Sequence, residues 1–150
     1  MTLVELLVVL GILAILAAIA LPNMSPVVLG YRLRGAAWQL GGDLRLARQQ
    51  AVSMQRRFRV CLGNCAISVP AGSYSLERDD GTPSSAQWVS LYGVPTRLPE
   101  GVTLQATATS TFRPNGAASG STFTLTNLLG SYQVVVNSTG RVTVCRGTCP

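Results

Sequence analysis

The chain changes character near residue 31. No charged residue occurs between Leu6 and Tyr31, and the run from Leu3 to Leu21, LVELLVVLGILAILAAIAL, is apolar throughout except for Glu5. A helix rises about 1.5 Å per residue, so a run near twenty residues matches the hydrocarbon thickness of a bilayer. Gly11 is a mild weak point, and Pro22 removes a backbone donor and favours a kink or break. The pattern therefore predicts a hydrophobic stem over residues 1–25. From Leu33 the spacing becomes amphipathic: Leu33, Ala37, Leu40, Leu44, Ala47, Ala51 and Met54 recur at intervals of four and three, one stripe on a helix. Arg34, Arg45, Arg48, Gln49 and Gln55 fall off that stripe. Gly41-Gly42 costs about 1 kcal/mol of helix propensity per glycine relative to alanine and permits a bend, yet the periodicity predicts one helix to about Gln55. The repeat is too short, and too poor in flanking charge pairs, for a coiled coil. Its apolar face is expected to pack on a sheet.

From Arg57 the period falls to two, with turn residues between apolar runs. Candidate strands are Phe58–Leu62, Ser73–Arg78, Trp88–Tyr92, Val102–Ala108, Ser121–Thr126, Tyr132–Asn137 and Arg141–Cys145, separated by clusters such as Asp79-Asp80-Gly81 and Pro114-Asn115-Gly116. One long N-terminal helix followed by short strands predicts an α+β fold, with the helix packed on an antiparallel sheet. Residues 26–150, including the amphipathic helix, form the expected soluble head.

Charge and composition narrow the chemistry. All twelve basic residues are Arg, there is no His, and the net charge is +6. That surface suits anionic partners such as DNA, phospholipid or polysaccharide. Without His no Ser-His or Cys-His pair exists, and without Lys no Schiff base forms. Asp79-Asp80-Gly81 reads as a turn instead of a catalytic carboxylate pair, and no glycine-rich phosphate loop follows a strand. Neither an enzyme nor a cofactor is expected.

Four cysteines form two near-copies of C-x-G-x-C, Cys61 to Cys65 and Cys145 to Cys149. A central glycine lets each loop turn sharply enough to bring its thiols together, so two local disulfides, Cys61–Cys65 and Cys145–Cys149, are expected in an oxidising compartment. Cross-pairing such as Cys61 with Cys145, and a four-cysteine zinc site, are the alternatives; no metal is expected.

Glu5 is the residue that a plain apolar anchor does not explain, because an isolated carboxylate in lipid is costly or forced neutral. A cleaved signal peptide would carry a basic start, which is missing here, although Ala18-Ile19-Ala20 resembles a cleavage site. The remaining reading is a packing helix whose carboxylate meets the N-terminal amine of a partner chain.

Met1, Thr2, Leu3, Glu5, Leu6, the apolar run and Pro22 together resemble the mature N-terminus of type IV pilins and type II secretion pseudopilins. The resemblance implies cleavage by a prepilin peptidase upstream of Met1, N-methylation of Met1, pairing of Glu5 with a neighbour's N-terminus, and a helix kink at Pro22. Within the head, Asp43-Leu44-Arg45-Leu46-Ala47-Arg48-Gln49-Gln50-Ala51, then Phe112-Arg113-Pro114-Asn115-Gly116 with Gly120 to Leu125, then Asn137-Ser138-Thr139-Gly140-Arg141-Val142 resemble the helix, hairpin and closing-strand signatures of the GspH/FimT branch of minor pilins and pseudopilins. That branch implies a structural subunit of a type IV pilus or type II secretion filament. It would sit in the bacterial inner membrane as a single-pass protein, with its head in the periplasm or on an extracellular filament. Its partners would be other pilins, the prepilin peptidase, an inner-membrane assembly platform and membrane lipid. An alternative is a pilus-tip DNA receptor for natural transformation. Such members use a G-R-x-R element, which Gly140-Arg141-Val142-Thr143 lacks at its last position; Arg141 and Arg146 are the candidate contacts.

Overall fold

The structure, a computed structural model, describes residues 2–20, 25–82 and 85–149. Met1 and Pro22, and with them the expected methylation site and kink, lie outside the described residues. Helix α1 runs Leu3–Ala20 and helix α2 runs Ser25–Met54. Helix α1 opens on a capping box: the Glu5 N–H donates to Thr2 Oγ1 (3.3 Å), and the Thr2 N–H donates to Glu5 Oε2 (3.4 Å). The pair satisfies two of the orphan donors that every helix start presents. Helix α1 has 18 residues, which is roughly 27 Å of rise against a hydrocarbon core of about 30 Å. Among the described residues no helix is long and apolar enough to cross a membrane, so the single-pass span expected over residues 1–25 is not found in them.

Helix α2 is continuous through Gly41-Gly42. It stops where Gln55 turns to a positive φ of 52° and the Arg56 N–H reaches back to the Ala51 carbonyl at 3.3 Å, the closing bond of a Schellman turn. Its stripe is the spine of the core. Leu33, Ala36, Ala37, Leu40, Leu44, Ala47 and Ala51 are all buried, whereas Met54, expected on the stripe, is exposed at the fraying end.

Nine strands follow among the described residues: β1 Phe58–Cys61, β2 Ser73–Asp79, β3 Trp88–Ser90, β4 Thr96–Arg97, β5 Thr103–Ala106, β6 Ser110–Phe112, β7 Ser121–Asn127, β8 Gly130–Val136 and β9 Val142–Arg146. They form two antiparallel sheets. One has the order β3-β2-β1-β6, with β4 also on β2; the other has the order β5-β7-β8-β9. Strands β4 and β6 were absent from the sequence reading; each is defined by its pairing, β4 with β2 and β6 with β1. Helix α2 packs against β1 and β6 of one sheet and β7, β8 and β9 of the other. Phe58, Val60, Phe112, Phe123, Leu125, Val134 and Val136 fill the space beneath it. Gly41 permits a close approach to β9: a Cβ there would lie 2.8 Å from Val144 Cγ2.

Candidate functional site

The chain presents an uncovered stem and, at the far end of α2, a latch built from its sequence signatures. Along α1 every large apolar side chain from Leu3 to Leu16 is exposed, none below 48%. A helix that is apolar all round has no polar face to give to water; its stable surroundings are lipid or other helices. Glu5 sits in the first turn, where the positive end of the helix dipole favours a carboxylate. The capping bond from Thr2 occupies one carboxylate oxygen, so Glu5 has a local role that the sequence reading did not assign.

The three signatures of the head meet at Arg48. Its Nε donates to the Gly116 carbonyl (3.1 Å), and its Nη2 donates to the Thr139 carbonyl (3.3 Å). Gly140 closes the arrangement with φ +77°; a Cβ there would fall 2.1 Å from the Gly116 oxygen and 2.9 Å from Arg48 Nε. The guanidinium on α2 thus ties the turn after β6 to the turn between β8 and β9. Each turn belongs to a different sheet, so the latch joins the two sheets through the helix. Arg45 adds a bond from Nη2 to the Val142 carbonyl at 3.4 Å. Asp43, first residue of the helix signature, accepts a short hydrogen bond from the Tyr74 hydroxyl of β2. Burial, and then that carboxylate, push the Tyr74 phenol well above its ordinary pKa.

Arg141 and Arg146 are not brought together. Arg141 is exposed before β9 and lines a groove with Arg45 and Arg48. Arg146 lies at the opposite end of β9 and lines another groove with Arg34 and Tyr31. Five residue steps along the strand separate them by about 17 Å. Along this strand Val142 is buried and Thr143 exposed. The two candidate contacts thus lie in different grooves, and the DNA reading finds no support.

The structure bonds Cys61 to Cys65 and Cys145 to Cys149. Cys61, Cys65 and Glu77 have ligand atoms within 4.8 Å of one another, but the two sulfurs are spent in the disulfide, and the carboxylate is otherwise engaged. Fully buried Glu77 accepts from Arg59 Nε at 2.7 Å and from the Ala66 N–H at 2.6 Å, which pins the first disulfide loop to β2. Arg59 also stacks over the Trp88 ring, 4.2 Å from its centroid. Asp79 is buried and paired with Arg57. Burial alone would raise its pKa, yet the N–H groups of Gln87 and Gly81, with Arg57, hold it below the usual range. Asp80 is held low by Arg78. The Asp79-Asp80 pair is therefore a structural turn clamped by arginines. Neither Glu77 nor Arg59 was singled out from sequence. Their positions alternate correctly on two strands, but only the register Arg59↔Glu77 makes them partners.

Residues 36–140 match the family described as Type II transport protein GspH, well over half of the chain. No curated protein sequence matches significantly. Among solved structures, the solution structure of Escherichia coli GspH superposes with a TM-score of 0.62 at 13% identity, covering 85% of this chain and 96% of that one. The minor pseudopilin EpsH from the type 2 secretion system of Vibrio cholerae gives 0.61 at 15%, covering 77% and 97%. The Pseudomonas aeruginosa type IV minor pilin FimU gives 0.58 at 21%, covering 79% and 92%. At these identities the superpositions speak to the fold, a long helix on antiparallel sheet. The matched segment begins inside α2 and ends at Gly140, so it contains every residue whose side chain or turn builds the Arg48 latch. The chain belongs to the GspH family of type IV pilin-like proteins.

Proposed function

We infer that this chain is a minor subunit, pseudopilin or minor pilin, of a type IV pilus or type II secretion filament, and that α1 is the part that assembles it. The observation that carries the reading is the contrast between a head with its own closed core and an 18-residue apolar helix left uncovered. Before assembly α1 resides in the inner membrane. Its shortfall of a few ångströms is the kind that local bilayer thinning accommodates at a fraction of a kcal/mol per Å. After assembly, neighbouring stems replace lipid around it. A prepilin peptidase frees and methylates the N-terminus at Met1, an inner-membrane platform moves the subunit into the filament, and the head faces the periplasm or the exterior. Glu5, held at the helix start by Thr2, is positioned to receive a neighbour's N-terminal amine, which sets the axial register between subunits.

The test is Glu5→Gln in a strain that assembles the filament. The neutral side chain keeps an oxygen acceptor for the Thr2 N–H, so helix capping is largely retained while the charge pair is lost. Incorporation is expected to fall at least tenfold by quantitative immunoblot of sheared filaments, with membrane levels unchanged. Wild-type incorporation would remove Glu5 from the assembly role.

A further inference from the structure

The tip of the β7–β8 hairpin breaks the usual chemistry of tight turns. Its two loop residues are Leu128 and Leu129, between the paired Asn127 and Gly130, where two-residue loops ordinarily carry Asn, Asp or Gly. Leu128 is 92% exposed, the most exposed large apolar side chain of the head. The tip is nonetheless held firmly. Asn127 Oδ1 accepts the Leu129 N–H at 2.9 Å, and Asn127 Nδ2 donates to the Leu29 carbonyl of α2 at 2.9 Å. One side chain therefore fixes the turn and clamps it to the start of α2.

That clamp sets where the leucines lie. Ala20, the last residue of α1, and Ser25, the first of α2, are five steps apart, a reach of at most about 18 Å; Leu29 is one further helical turn along. The hairpin tip is thus at the stem end of the head. Beside it is a groove of about 330 Å³ lined by Val27, Tyr31, Leu129, Arg34 and Arg146 among others, with no acidic lining residue. Tyr31 is exposed, and neither arginine has an ion-pair partner among the described residues. Exposed leucines, a tyrosine and arginines at one level form the composition of a membrane-interface contact: the apolar groups enter the headgroup boundary, and the guanidinia meet lipid phosphates.

We propose that the Leu128-Leu129 tip, with Tyr31, Arg34 and Arg146, is a docking surface for the anionic leaflet, resting the head on the membrane while the subunit awaits assembly. The proposal rests on the reading of α1 as a membrane-resident stem. The occupant is lipid because the patch adjoins the point where the stem leaves the head and because its charge is positive only. Docking at this site restricts how the head turns about its stem, and so presents the Arg48 end of the head away from the bilayer.

The experiment uses the full chain in vesicles of phosphatidylcholine, with or without phosphatidylglycerol. All described cysteines are disulfide-bonded, so a cysteine introduced by Leu128→Cys accepts a single fluorophore, and Thr139→Cys, at the opposite hairpin, serves as the control. Brominated lipid should quench the label at 128 and not at 139. Phosphatidylglycerol should strengthen the quenching and salt should weaken it. Arg34→Gln with Arg146→Gln should lower the docked fraction relative to the undocked by about tenfold or more. Resistance to alkaline carbonate reports stem insertion separately. A carbonate-resistant chain with no quenching at 128 overturns the docking surface and leaves the stem reading standing. A carbonate-extractable chain overturns both. Shielding at 128 that follows protein concentration and ignores phosphatidylglycerol assigns the surface to a second copy and overturns the lipid assignment.

Discussion

Arg48 shows how much one side chain holds. Its guanidinium spans two carbonyls that belong to different sheets, a geometry that needs the planar fork of arginine. Hydrogen bonds from a charged donor contribute about 1.5–3 kcal/mol each when buried, and partial exposure reduces this. Arg48→Ala is expected to lower head stability by about 1–3 kcal/mol in urea unfolding, and Arg48→Lys to recover less than half of the loss. An unchanged midpoint would show that the latch is ornamental. Asp79 supports a pH prediction. Its pKa is lower in the folded state than in the unfolded chain, so its stabilisation is complete above the unfolded value near 3.9 and is lost as pH falls through the folded value. Thermal melts should therefore show an acid loss of stability below about pH 4 that is smaller in Asp79→Asn, since the variant has already forfeited the charge. An identical acid limb in both would assign the effect elsewhere.

At the scale of elements, the two adjacent glycines of α2 do different things. Gly42 is exposed, and a Cβ added there meets nothing within 4 Å; Gly42→Ala should stabilise the head by about 0.5–1 kcal/mol through helix propensity alone. Gly41 faces Val144 of β9 at 2.8 Å from an added Cβ. Gly41→Ala must displace the Val144 side chain, so it should lose that gain and destabilise by about 1 kcal/mol. Paired denaturation curves give the opposite signs directly, and equal shifts would mean that α2 and β9 are not in close contact. The sequence reading treated both glycines as one weak point because propensity is a property of the residue. Which glycine is needed depends on what packs against it.

For the whole molecule, the division between stem and head predicts independence. No described residue before Leu33 belongs to the buried core, so a chain starting at Ser25 should keep a cooperative unfolding transition and the near-ultraviolet circular dichroism of a fixed core. Loss of that transition would make α1 part of the head's fold. The family match, which begins at residue 36 inside α2, lies wholly in the head.

The apolar run of the stem and the four-three stripe of α2 were legible in the sequence because helix period and hydrophobicity are local properties, read one turn at a time. Strand periodicity located seven of the strands for the same reason, while β4 and β6 became strands only through partners elsewhere in the chain. The signature motifs were also visible, but as separate strings. That Arg48, Gly116 and Gly140 meet at one point, that Glu77 answers Arg59, and that Arg141 and Arg146 part company along β9 follow from register and from the packing of two sheets under one helix. These are contacts between residues far apart in sequence, decided by which surfaces bury each other, and tertiary structure alone decides them.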